Sequence, residues 1–374
     1  MKKNGTSKIL CLKFGQWAVE FMPDDGARIR RLAYRQKNLL TPPPRFFTPP
    51  RHHDGQYEKR PVYGYDDCFP TVDPCPYPGG NLDLPDHGEA CWLKADCFAL
   101  KSGLKCVFVS RLLPFVFERE MIFDGNCLTW IFTVVNTGRK VLPFIHVMHP
   151  LMPVSKVRQV ELPAFAEIVD ETTGGKLDLK DLARPVAAVK YASRDCHSRS
   201  NRESRIPGRA RAGRTGIDIL DSRFPRLPDK SGQVATCLTT WRGNDTAEKQ
   251  NKFARKLQVC NVSTVDVEKF LLLSQTGRAH MFLLRGVKDG FFRMFFRGGL
   301  SLSVSYDHKI FSTLGIWWNR LGFPAEKGLE RDEFAIEPIP GAWSSLKKAR
   351  ESGDCLSVPA GRTFVWRIDW RVNI

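Results

Sequence analysis

Three observations predict an all-β fold, a large antiparallel β-sandwich with few short helices. Short apolar runs rich in Val, Ile, Phe and Trp follow one another along the chain. Turn-forming breaks such as "DGN" and "NTGRK" separate them at hairpin spacing. Within a run the apolar residues alternate, as in "TFVWRIDW", where Phe364, Trp366, Ile368 and Trp370 share one face.

In chain order, "LKCVFVS" (104–110), "LPFVFEREMIF" (113–123) and "CLTWIFTVVN" (127–136) read as three strands in succession. The turn "NTGRK" then leads into another apolar run, "VLPF". "HMFLLRG", "GFFRMFFRGG" and "LSLSVSYD" continue the pattern with glycine punctuation, and "TFVWRIDW" closes it. Two stretches have helical texture, "AWSSLKKARESG" and "DTAEKQNKFARKL" at 245–257. With no repeat and no clean linker, residues 1–374 read as a single domain carrying a basic insertion at about 185–232.

Composition sets the outer limits. With 42% hydrophobic and 11% aromatic residues the chain can bury a substantial core, which excludes wholesale disorder. Apolar runs such as "LTWIFTVV" fall far short of the roughly 20 residues that cross a bilayer. The lysines of "MKKNGTSKILCLKFG" resemble the start of a secretory signal, but Lys13 interrupts the apolar stretch at once. The 11 cysteines include no CxxC pair, so they read as small buried hydrophobes in a reducing compartment, and the expected location is the cytoplasm. Part of the formal charge of +17 is local: Lys190 to Arg214 carries eight basic residues against Asp195 and Glu203. That segment could bind nucleic acid or another polyanion. Its only aromatic apart from His197 is Tyr191, however, which favours a solvated excursion over a base-stacking surface.

Polar chemistry intrudes on apolar surroundings at four places: "LPDHGEACW" with His87, "PFIHVMHPLM" with His146 and His149, "FSTLGIWWNRLGFP" with Trp317 and Trp318, and "FAIEPIPGAWSSL" with Glu337. On a helix, His146 and His149 would share a face and could share a metal ion. In strand-like text their odd offset puts the rings on opposite faces, so no metal site is expected from them. Glu337, between Ile336 and Pro338, is placed to be partly desolvated, which raises a carboxyl pKa towards the range useful for a base.

In order, these pieces resemble the aldose 1-epimerase (galactose mutarotase-like) superfamily, in a branch with the texture "YDDCFPT", "PDHGE", "HP", "LGIW", "IEP". The resemblance runs from "GARIRRLAYRQKNLLTPP" (26–43) to the carboxy terminus, leaving out the basic insertion. It implies a supersandwich and an isomerase that interconverts the anomers of a hexose or related sugar. It also implies roles: Glu337 the base, His149 the acid, His87 a hydrogen-bonding group near the ring oxygen. Asp66, Asp67, Asp86 and Glu89 become candidates for holding hydroxyls, and Trp317 or Trp318 offers a face to the sugar. The substrate implied is a monosaccharide, or a sugar phosphate given the positive charge, and the chemistry calls for no metal or organic cofactor. A non-catalytic sugar-binding protein on the same fold is the alternative. Two family features are not matched: the arginine ahead of the first histidine is replaced by the acids of "YDDCFPT", and the later sugar-binding aspartate has only Asp307 as a counterpart.

Overall fold

The computed structural model describes residues 8–44, 57, 62–176, 184–185, 189–191, 258–260, 262–266, 276–324 and 328–374. The helix expected at 245–257 and most of the expected basic insertion lie outside these. Every element below belongs to the unit formed by 1–192 and 257–374.

Strand texture becomes three large antiparallel sheets. The ten-stranded one runs, from its middle outwards, through Thr363–Asn373, Cys127–Asn136, Phe115–Asp124, Gly103–Val109 and Ala95–Leu100. On the other side it continues through Ser301–Tyr306, Phe291–Phe296, Val157–Pro163, Val262–Asp266 and Arg184–Pro185. A six-stranded sheet is built from Leu10–Phe14, Trp17–Met22, Arg28–Tyr34, Tyr65–Cys68 and Val147–Pro150, with Lys37–Asn38 on its flank. A second six-stranded sheet orders Met152–Pro153, Asp332–Ile339, Thr313–Arg320, Arg278–Arg285, Glu167–Asp170 and Gly175–Lys176. Only residue 151 separates Val147–Pro150 from Met152–Pro153, so the two smaller sheets meet there.

Alternation explains the packing. In Phe115–Asp124 every second residue is buried, and in Thr363–Asn373 Trp366, Ile368, Trp370 and Val372 are. One hydrophobic cluster joins inward faces of all three sheets, for example Trp130 of the large sheet stacked on Tyr65 at 4.7 Å. The other expected strands are present, and "LKKARE" forms the helix Leu346–Glu351. Among the described residues no helix is long and apolar enough to cross a membrane.

Candidate active site

Strand geometry sorts the site residues by parity. Asp66 and Asp67 are consecutive on Tyr65–Cys68 and therefore point to opposite faces. On one side Asp67 accepts from the Tyr65 hydroxyl at 2.6 Å, from Arg119 and from His146 Nε2 at 3.1 Å. His146 is packed among Phe132, Phe117 and Trp366. On the other side Asp66 takes Arg28 Nη2 at 2.7 Å and the Tyr57 hydroxyl at 2.9 Å. In the register of the next strand His149 lies opposite Asp66. Cys68, two residues after Asp66, shares its face. His146 and His149 thus point to different layers.

His87 arrives from a loop bent through the left-handed region, φ +61° at His87 and +70° at Gly88. The backbone needs glycine at 88, because a Cβ there would stand 2.3 Å from the Phe69 carbonyl oxygen. Hydrogen bonds from His87 N to Val72 O and from Glu89 N to Phe69 O fix the bend. The imidazole stacks on Tyr57 with ring centres 3.6 Å apart, and its Nδ1 is 2.8 Å from Asp86 Oδ1. A carboxylate can only accept, so Nδ1 carries a hydrogen, and in the neutral ring Nε2 keeps its lone pair.

Glu337 lies on Asp332–Ile339, opposite Gly315. Its Oε1 comes within 3.4 Å of His149 Nε2, where the two smaller sheets meet, yet has no hydrogen-bond partner among the described residues. The His87 and His149 ring centres are 5.2 Å apart. These side chains line a cavity of about 420 Å³ with Tyr57, Cys68, Asp73, Asp86, Glu171, Met281, Trp317 and Lys348. That volume falls in the roughly 300–1,000 Å³ range of small-molecule sites. A more open groove of about 860 Å³ runs past Lys13, Gln16, Lys101 and Asn126. Its lining sets Asp124 among lysines but holds no histidine and none of the residues singled out in the sequence, so the smaller cavity is the candidate site.

Burial decides where protons rest. It pushes the Glu337 carboxyl up to about 8 and pulls His149 well below an ordinary imidazole, helped by His87 and Arg28. Around neutral pH the empty pair therefore holds one proton, on the carboxyl, instead of forming an ion pair. Burial, followed by repulsion from Glu171, raises Asp73 to about 6. Four carboxyl groups, those of Asp73, Asp86, Glu171 and Glu337, face one amine, Lys348, around this cavity.

The structure brings His87, His149, Glu337, Asp86 and Trp317 together and places the remaining candidates elsewhere. Asp67 is in the sandwich core, for the parity reason given above. Asp66 lies one layer behind the lining, where it holds Tyr57. Glu89 instead accepts from Ser110 Oγ at 2.5 Å and Arg111 N at 2.7 Å, pinning a loop of the large sheet. Trp318 faces the core against Phe334, since its neighbour Trp317 takes the cavity side. Asp307 caps its own turn through Lys309 N. Tyr57, Asp73, Glu171, Lys348 and Cys68 escaped the sequence reading. Of these Cys68 sat in a stretch singled out for its chemistry, "YDDCFPT", and Lys348 in one read only as a helix, "AWSSLKKARESG".

No protein-family model and no curated protein sequence matches this chain. Solved structures do. A putative aldose 1-epimerase from Escherichia coli superposes with a TM-score of 0.57 at 14% identity, covering 98% of this chain and 99% of that one. A galactose mutarotase-like protein from Clostridium acetobutylicum gives 0.57 at 12% identity, covering 98% and 95%. A protein from Synechocystis gives 0.57 at 13%, covering 100% and 99%. At such identities the likeness establishes the fold alone: this chain has the β-sandwich fold of those structures.

Proposed function

We propose that the cavity anomerises a free, unphosphorylated aldose. The observation that carries this reading is the buried Glu337 Oε1, which among the described residues lacks a hydrogen-bond partner and lies 3.4 Å from His149 Nε2 in a sugar-sized hollow. A buried carboxyl left unsatisfied is costly unless a ligand completes it. The two oxygens that matter in mutarotation, O1 and the ring oxygen O5, sit on the same carbon, so a close acid–base pair can serve both. With the proton resting on the carboxyl, His149 accepts the O1 proton while Glu337 donates its own to O5, the reverse of the roles the resemblance implies. The C1–O5 bond breaks, C1=O1 forms, the aldehyde turns about C1–C2, and the reverse steps close the ring on its other face. The pair regains the single proton it began with. His87, held by Asp86, presents Nε2 to a hydroxyl, and Trp317 offers an apolar face. Four carboxyl groups against one lysine disfavour a phosphate in this cavity, whatever the charge of the whole chain.

A second reading, sugar binding without turnover, is favoured by that same 3.4 Å contact, because a sugar must part the two side chains before either can act. Magnetisation-exchange NMR on glucose and galactose separates the two. Anomer exchange faster than the buffer rate, lost in Glu337→Gln, supports catalysis. Sugar binding at the buffer rate supports the second reading, and equal exchange by wild type and Glu337→Gln rejects the first.

A further inference from the structure

Cys68 takes no part in the proton transfers above, yet its thiol belongs to the cavity wall. The ligand atoms of Cys68, His87 and His149 all lie within 4.8 Å of one another. We infer that these three side chains form a binding site for a borderline-soft divalent ion of the zinc class, and that an ion held there shuts down the sugar chemistry. The second clause rests on the function proposed above; the first does not.

Four features support the site. The donor set, one thiol and two imidazoles, suits zinc, and three protein ligands leave a coordination position open to the cavity. Each imidazole has an outer partner of the kind that orients metal-bound histidines. Asp86 holds His87 Nδ1 at 2.8 Å and so leaves Nε2 free to ligate. The Tyr57 hydroxyl, anchored on Asp66, lies 3.5 Å from His149 Nδ1. Cys68 and His149 sit on paired strands of one sheet, so two ligands are fixed by backbone register and not by a loop. Finally, the surplus of carboxyl groups around the cavity favours a cation.

Binding involves no change of oxidation state. The Cys68 thiol gives its proton to solvent as sulfur bonds the ion, and each imidazole contributes a lone pair. An imidazole engaged in this way can neither accept nor deliver a proton, which is why ion and sugar turnover exclude each other.

Cobalt(II) is the probe, used on the full-length protein after stripping with a chelator. One equivalent is expected to bring up a thiolate-to-cobalt charge-transfer band, which zinc then bleaches. Cys68→Ser should abolish the band, and His87→Asn, which tolerates the left-handed backbone, should weaken uptake at least tenfold. Cys97→Ser should keep the band, although it removes half of another close thiol pair, Cys97 and Cys106 with sulfurs 3.0 Å apart. Absence of the band in wild type, or its survival in Cys68→Ser, overturns the site. Anomer exchange by the metal-free protein should stop on adding one equivalent of zinc and return with chelator; exchange that persists under saturating zinc overturns the exclusion. A protein that develops the band but exchanges no anomers supports the site and rejects the proposed activity alone.

Discussion

Two buried carboxyl groups, each beside a histidine of the "HVMH" stretch, have opposite fates. Asp67 has both oxygens occupied, by Tyr65, His146 and Arg119. Burial alone would raise its pKa, but Arg119 and His146 hold it below the ordinary aspartate value. Among the described residues Glu337 has no lysine or arginine in ion-pair contact and its Oε1 is unpartnered, and burial pushes it up to about 8. Both are out of water, and one is paid for internally. The other waits for something to enter the cavity, and that difference separates a structural polar cluster from a site.

The largest expected effect falls on the waiting carboxyl. Glu337→Gln should lower the anomer-exchange rate by about 10²–10⁴, the usual worth of a positioned acid or base. Its thermal midpoint should stay at or above that of wild type, because an amide, unlike this carboxyl, need not take up a proton on folding. A large drop in midpoint would mean that Glu337 is structural and the contrast with Asp67 is false.

The satisfied cluster should respond the other way. Arg119→Ala strands the Asp67 carboxylate in the core and should cost about 3–5 kcal/mol in a urea unfolding series. Loss of exchange activity without loss of stability would contradict the division.

A third carboxyl sharpens the contrast. Glu333 lies on the same strand face as Glu337, buried but outside the cavity lining. Burial raises it from 4.5 to about 8, so the folded chain keeps a proton that the unfolded chain has lost. Its contribution is therefore fully present below pH 4.5 and declines as pH rises to about 8, by at most about 1.4 kcal/mol per pH unit. Stability curves of Glu333→Gln should be flatter than those of wild type across that window. Identical slopes would place the titration elsewhere.

The smallest effect is expected at the cavity wall. Trp317→Ala should raise KM for the sugar by less than about tenfold, worth under ~1.4 kcal/mol, with little change in kcat. A loss confined to kcat would instead give this ring a role in the chemistry.

Much of this was legible in the sequence, because alternation is written residue by residue. It marked six of the ten strands of the large sheet, and the resemblance picked out His87, His149 and Glu337. What alternation leaves open is which of two neighbours faces which way. Asp66 and Asp67, or Trp317 and Trp318, differ only in register, and register is set by the partner strand. Arg119 had a readable signal: it occupies the buried phase of Phe115, Phe117, Met121 and Phe123 and so requires a buried anion. Tyr57, Asp73, Glu171 and Lys348 had none, since they converge from four separate segments.

The tight bend at Gly88 has a practical corollary. With the Phe69 carbonyl lodged where a methyl group would go, that residue works as a spacer, setting how far the His87 ring stands from the strand that carries Cys68. Adding one carbon at position 88 would force this loop and the Phe69–Pro70 backbone apart while leaving every group of the cavity chemically intact, turning a question of reactivity into one of alignment.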